Sequence, residues 1–276
     1  MNLDRTKEIA KQVRRDIIEM THAVGSHGAH IGGSLSAVEL LTTLYFNIMR
    51  YDVNDMQSDK RDRFILSKGH AAMALYAVLY RRGIVTEDEL KTFKCNNSKF
   101  ANHPYMMPEK GVEFSTGSLG HGLSLGVGTA LALHLKGNIE SKVFVYQGDG
   151  ECDEGAVWEA AMSASHYKLN NLIAIIDRNK IQLDGFTEDI MSQANIYERY
   201  KSFGWDVYYL DGHNVDDIYE VISRKIENQN KPMAFIANTT KGKGVSFIEN
   251  RYEWHIGILN DKLYQQAVEE LEHERN

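Results

Sequence analysis

The chain has 276 residues, 43% of them hydrophobic and 25% charged, with a formal net charge of -7. That length buries a full core, in one large α/β domain or two small ones, and the composition is that of an ordinary soluble globular protein. The negative balance excludes a general nucleic-acid binder, which needs a basic face, and no run approaches the ~20 apolar residues that cross a bilayer.

The opening stretch, MNLDRTKEIAKQVRRD, is polar and amphipathic and lacks the apolar centre of a signal peptide. It begins a predicted helix over 3–24. A second helix is predicted over 34–49, with Ser36 and Glu39 at capping-box spacing. A short strand, 63–67, leads through Lys68-Gly69-His70 into an apolar helix ending near Gly83, and Thr86 with Glu89 suggests the cap of the next short helix. Residues 94–118 read as a long loop, of the kind that usually carries function. The loop delivers 115-STGSLGHGLSLGVGTALALHL-135, a glycine-rich approach to a helix of small residues.

Strands and helices then alternate: strand 142–147, helix 154–168, strand 172–177, helix 192–203, strand 205–210, helix 214–229, strand 233–239. A polar tail, 260–276, reads as a final helix with a solvated face. Such βα alternation with apolar strands predicts an α/β fold, a mostly parallel sheet with helices on both faces. Cys95 and Cys152 have neither CxxC spacing nor a disulfide framework, so a reducing cytoplasm is the expected compartment.

The most informative stretch is 142-KVFVYQGDGECDEGAVWEAA-161, where an apolar strand runs into Gly-Asp-Gly. Ligands of open parallel sheets bind beyond the carboxyl ends of the strands. Asp149 sits at such an end. Asn179 follows the next strand, about one βαβ unit later, and a right-handed crossover brings both side chains to one rim. Two oxygen-bearing side chains, one anionic and one neutral, suit Mg²⁺ or Ca²⁺ rather than zinc. Mg²⁺ held by so few protein ligands generally takes further oxygens from a phosphate. Gly148 and Gly150 let backbone approach that phosphate.

Gly-Asp-Gly followed by Asn after some thirty residues resembles the thiamine-diphosphate-binding signature. The wider chain is similar to the N-terminal, diphosphate-binding domain of transketolases. The blocks that carry the likeness are 30-HIGGSLSAVELL-41, 66-LSKGHAAMALYA-77, 115-STGSLGHGLSLGVG-128, 148-GDGECDEGAVWEA-160, 177-DRNKIQLDG-185, 211-DGHN-214 and 239-TTKGKGVSF-247, with Trp254-His255. The resemblance implies a thiamine-diphosphate-binding fold over residues 1–276 as a single domain. It also implies a Mg²⁺ site (Ca²⁺ or Mn²⁺ as substitutes) made by Asp149, Asn179 and the backbone carbonyl of Ile181. Gly150, His70 and His255 match positions that contact the diphosphate, beside Gly148 and Glu151. Gly117 and Leu119 match the loop over the cofactor rings, and His121 is equally well read as pointing at the cofactor or as structural. His30 and His103 match histidines facing the reacting carbon and the sugar hydroxyls. Glu154 and Glu159 align with acidic residues near the subunit interface.

His22, His27, His134, His166, His213 and His273 read as surface or core histidines. His70 differs, because it follows a strand and Lys-Gly at a helix start, where orphan N–H groups favour an anion. Acids in a first helical turn complement the helix dipole, which explains Glu151 and Asp153. The lysines of 240-TKGKG-244 read as a hinge or lid leading to His255 rather than as a phosphate loop.

The family's pyrimidine-binding and C-terminal domains, with the glutamate that acts on the aminopyrimidine ring, have no counterpart in this chain and are expected on a partner. The implied enzyme is a two-chain transketolase of α₂β₂ assembly, moving a two-carbon ketol unit from a ketose, or ketose phosphate, to an aldose. Ala29-His30-Ile31-Gly32 and Asn102-His103-Pro104 depart from the family pattern beside sugar-facing positions, which points to a specialised or nucleotide-linked acceptor. The competing readings are the α subunit of a 2-oxo-acid dehydrogenase and a non-catalytic cofactor-binding relative.

Overall fold

The computed structural model describes residues 1–273. Eleven α-helices and five strands alternate along the described residues. The first helix, α1 (Leu3–Ala23), is capped by the Asn2 side chain and buries an apolar stripe that includes Val13 and Ile17. Next come α2 (Ile31–Leu35), α3 (Val38–Thr43), β1 (Arg63–Leu66), α4 (Ala72–Arg81) and α5 (Glu87–Lys91). The expected cap of α5 is present, with Thr86 and Glu89 bonding reciprocally.

The second helix departs from expectation. Residues 34–49 are not one helix capped by Ser36 and Glu39. The chain breaks at 36–37, and α3 runs into a wider π-turn over Leu44–Ile48. Both supposed capping side chains are engaged elsewhere. The Ser36 hydroxyl lies 2.7 Å from Asp177 Oδ2, and Glu39 pairs with Arg14 and with His213 at 2.9 Å.

The remainder follows the predicted alternation: α6 (His121–Leu135), β2 (Val143–Gly148), α7 (Gly155–His166), β3 (Leu172–Arg178), α8 (Thr187–Ile190), α9 (Ile196–Ser202), β4 (Asp206–Asp211), α10 (Val215–Ile226), β5 (Met233–Asn238) and α11 (Asp261–His273). Helix α8 falls between the predicted strand 172–177 and helix 192–203, where no element was predicted, and residues 274–276 of the predicted tail helix lie outside the described residues. The sheet is parallel throughout, in the order β1-β2-β3-β5-β4.

Both faces of the sheet are covered because its strands are apolar at successive positions. Phe144, Tyr146, Ile173, Ile175 and Phe235 pack into one core with α1, α3, α4 and α10. Val143, Val145, Leu172, Ala174 and Ile236 pack into a second core with α6, α7 and α9. Burying each of the Val, Leu, Ile and Phe side chains among them contributes roughly 1.5–3 kcal/mol. No helix of the described residues is long and apolar enough to cross a membrane.

Candidate active site

All strands point the same way, so their carboxyl ends share one rim, and residues just beyond β1, β2, β3 and β5 meet there. They line a cavity of about 330 Å³ with His30, Gly33, Lys68, His70, His103, Asp149, Asn179, Ile181, Gln182, Lys241 and His255 among its walls.

The register of β2 and β3 pairs Gly148 with Asp177, which places Asp149 beside the loop after β3. Asp149 Oδ1 accepts the Gly150 N–H at 2.8 Å, and Oδ2 accepts the Lys180 N–H at 2.5 Å. Lys180 holds a left-handed backbone, φ 66°, which for a non-glycine residue is strain of the kind found at functional sites. Asn179 is buried, and its Oδ1 accepts the Ile181 N–H at 3.0 Å. The crossover argument therefore holds: residues separated by a whole βαβ unit meet at one point.

Four imidazoles face one another across the cavity. The His30 ring lies 5.2 Å from both His103 and His255, centroid to centroid, and His70 lies 5.0 Å from His255. Burial, then the neighbouring His103, lowers His30 to about 4. Burial, then the Lys241 ammonium, lowers His255 to about 3, and burial with Lys68 nearby takes His70 well below the usual range. All three are neutral at physiological pH, so each presents one donor and one acceptor. Burial, then the Asp177 charge, raises Asp149 to about 7. A buried carboxylate so disfavoured in its ionised form is a natural partner for a cation.

Two lysines form part of the wall, Lys68, which the sequence did not single out, and Lys241, which read as part of a hinge or lid. Lys68 is fully enclosed and donates to the Gly33 carbonyl at 2.8 Å, to Ser36 Oγ at 3.0 Å and to Asp177. Lys241 is buried too, and its Nζ donates to the Gln182 carbonyl at 3.0 Å and the Ile181 carbonyl at 3.3 Å. Lys241 is thus fixed in the wall rather than belonging to a free hinge. The signals that could have found them were a lysine just beyond an apolar strand, for Lys68, and the Gly242 that follows Lys241.

Glu151 also differs from its reading. It lies in a separate 3₁₀ turn, Gly150–Asp153, ahead of α7. Its carboxylate accepts the Gly148 N–H at 3.0 Å and the Ser67 hydroxyl, and burial raises it to about 7. It braces the Gly-Asp-Gly turn instead of complementing the α7 dipole. Gly150 is also needed internally, since a Cβ there would sit 2.8 Å from the Gln182 side chain. At Gly148 the same space meets only Lys68, at 3.6 Å.

Gly117, Leu119 and His121 do not line this cavity. They border a neighbouring, more open one with Ser115, Ser118 and Ser124, and Ser118 is common to both. Leu119 is 56% exposed and His121 is exposed as well. Glu154 lines the main cavity at the start of α7, while Glu159 is exposed on that helix. His213 is structural, with Nδ1 2.9 Å from Glu39 and Nε2 accepting the Thr240 N–H at 2.7 Å.

The cavity suits a phosphate-bearing cofactor with a small hard cation. Ammonium and imidazole groups surround it, and the polar atoms His30 Nδ1 and Gln182 Nε2 are buried without a protein partner. Among the described residues no three His, Cys, Asp or Glu side chains converge as a metal site. An ion held by Asp149, Asn179 and a backbone carbonyl therefore needs further oxygens from a ligand.

Residues 6–275 match the family described as "Transketolase, thiamine diphosphate binding domain". The chain belongs to this transketolase family. It is 41% identical to an apulose-4-phosphate transketolase subunit from Actinobacillus succinogenes, over 99% of this chain and 98% of that protein. It is 40% identical to a 6-deoxy-6-sulfo-D-fructose transketolase subunit from a Clostridium species, over 89% of each. The crystal structure of transketolase from Campylobacter jejuni superposes with a TM-score of 0.90 at 28% identity, covering 99% of this chain and 43% of that one. The chain thus spans about two fifths of that solved transketolase. The α/β architecture expected from the sequence is the one found, and the transketolase resemblance stands.

Proposed function

We propose that this chain is the N-terminal, diphosphate-binding subunit of a two-chain transketolase, a transferase that moves a two-carbon ketol unit from a ketose donor to an aldose acceptor. One observation carries the reading: the chain matches the apulose-4-phosphate transketolase subunit over 98% of that protein, whereas it covers 42% of the human transketolase it resembles at 36% identity. In this reading a second polypeptide supplies the pyrimidine-binding domain. The apolar residues Leu183, Phe186, Ile190, Met191 and Ile256, exposed about the cavity mouth and the adjoining loop, form the surface such a partner would cover. We assign an α₂β₂ assembly, with Glu154 and Glu159 towards the interface, and a cytoplasmic compartment in keeping with two free thiols.

Thiamine diphosphate, when bound, supplies the nucleophilic carbon chemistry of ketol transfer. In our assignment Asp149, Asn179 and the Ile181 carbonyl hold Mg²⁺, while His70, His255 and Gly150 donate to the diphosphate. Gly148 leaves the diphosphate room, and Glu151 keeps the turn in shape. Gly117 and Leu119, with His121, on the neighbouring cavity, belong to the loop that would lie over the ring end. His30 and His103 face the sugar, where neutral imidazoles pass protons to and from hydroxyl and carbonyl oxygens. Asparagine beside His103 fits a specialised sugar bearing an anionic group, as the names of the apulose-4-phosphate and sulfofructose relatives suggest, while Ile31 beside His30 is buried in the core.

The test is co-expression with a second polypeptide that carries a pyrimidine-domain pattern, sought first in the neighbouring reading frame, followed by a ketol-transfer assay with thiamine diphosphate and Mg²⁺. Transfer by the pair and by neither chain alone is the expected result. Oxidative decarboxylation of a 2-oxo acid by the pair, or no turnover with any sugar, overturns the reading.

A further inference from the structure

We propose that Asp177, ion-paired with Lys68, fixes which way round the Asn179 amide sits and so presents its carbonyl oxygen to the divalent cation. The inference rests on the assignment of Asn179 as a cation ligand. Asp177 and Lys68 are positioning residues in this scheme, acting through Asn179.

An asparagine amide has an oxygen end and a nitrogen end of nearly equal size, and only its surroundings choose between them. A cation requires the oxygen. Asn179 is held at both ends. Its Nδ2 donates to Asp177 Oδ1 at 3.3 Å, and its Oδ1 accepts the Ile181 N–H at 3.0 Å. An ionised carboxylate only accepts, so the edge of Asn179 facing Asp177 must be the NH₂. Reversal would set oxygen against carboxylate and NH₂ against a backbone N–H, two repulsive contacts in a buried site.

The carboxylate itself has no freedom. Asp177 is 0% exposed. Its Oδ2 receives Lys68 Nζ, the Tyr146 hydroxyl at 2.8 Å and the Ser36 hydroxyl at 2.7 Å. Its Oδ1 receives the Thr239 hydroxyl and Asn179. Lys68 is pinned in turn by the Gly33 carbonyl and Ser36. A buried ion pair adds little net stability against a well-packed apolar replacement, so fixing a neighbour's orientation is a reason for its presence beneath the site.

The experiment measures Mn²⁺ binding to the full chain at saturating thiamine diphosphate, reading free Mn²⁺ by electron paramagnetic resonance, with melting temperature in parallel. The double variant Lys68→Met/Asp177→Asn removes both charges together and puts an amide that offers either end against Asn179. Its Mn²⁺ dissociation constant should rise at least tenfold while it stays folded. Thr239→Val removes one donor to Asp177 but keeps the acceptor-only carboxylate, so it should lower the melting temperature and leave Mn²⁺ affinity within about twofold. A folded double variant that binds Mn²⁺ like the wild type overturns the inference, as does an equal loss of affinity in both variants. Asp149→Ala distinguishes the two levels: unchanged Mn²⁺ binding there refutes the cation site itself. Should the double variant not fold, the Asn179 NH₂ resonances of the ¹⁵N-asparagine-labelled wild type decide, identified by their loss in Asn179→Ala. One set of signals, with and without Mg²⁺, is expected; two sets in exchange refute a fixed amide.

Discussion

The Lys241 ammonium lies 3.2 Å from Nδ1 of His255. An ammonium only donates, so His255 Nδ1 is the acceptor and its N–H is on Nε2. The same lysine donates to the carbonyls of Ile181 and Gln182, linking the loop after β3 to the segment that carries His255. Lys241→Met should lower thiamine diphosphate affinity about tenfold, the worth of one hydrogen bond to a charged group. Isothermal titration against the wild-type chain checks this, and unchanged affinity would remove Lys241 from the site.

His103 stands on the long loop, exposed, and its neighbour in the site is the ring of His30. His103→Ala should reduce ketol transfer in the assembled enzyme by about 10²-fold, the low end for a lost proton-transfer group. Cofactor affinity should stay within about twofold. Steady-state kinetics with a cofactor titration separates the two effects.

In the cofactor-free chain the neutral histidines lower stability as the pH falls, opposing the buried carboxyls of Asp149 and Glu151, whose raised pKa values favour the fold below about 7. The unfolded chain takes up protons near pH 6.5, while His30 resists until about 4 and His255 until about 3. Between those values these histidines bind more protons in the unfolded state, so their contribution is complete above 6.5 and falls as pH drops towards 4. His30 alone accounts for on the order of 2 kcal/mol at pH 5. The stability of the wild-type chain should therefore change by about 2 kcal/mol more unfavourably than that of His30→Asn between pH 7.5 and 5, read by denaturant unfolding of both at each pH.

Gly122, in the first turn of α6, packs on Ser67 at the end of β1. A Cβ there would fall 2.2 Å from Ser67 Cβ and Oγ and 2.6 Å from its Cα. Ser67 in turn accepts the Gly122 N–H at 3.0 Å and donates to Glu151. Gly122→Ala should cost about 3 kcal/mol through overpacking and loosen the Gly-Asp-Gly turn with it. A thermal melt tests the first effect and cofactor titration the second.

Much of this molecule was legible because its strands are continuous apolar runs and its helix boundaries carry local chemistry, as at Thr86 and Glu89. The meeting of Asp149 with Asn179 was legible too, since a parallel sheet leaves one place for both. What escaped depended on contacts between distant segments. Ser36 and Glu39 have the spacing of a capping box, but Asp177, Arg14 and His213 take their side chains instead. Glu151 looked like a helix-dipole acid, and only Ser67 and the Gly148 N–H reveal it as a brace. Lys68 and Lys241 escaped because a lysine normally reads as surface, and the carbonyls that enclose them come from distant segments.

The order of the strands also bears on how the chain is made. Strand β4 leaves the ribosome before β5, yet β5 is its neighbour in the sheet and separates it from β3. During synthesis β4 therefore waits unpaired, with Val207 and Leu210 lacking their final cover. Thr239 and Lys241 emerge later still, so a nascent chain halted before them has no finished pocket. Vitamin-derived cofactor can engage only once nearly the whole polypeptide is out, which makes capture a late, post-synthetic event.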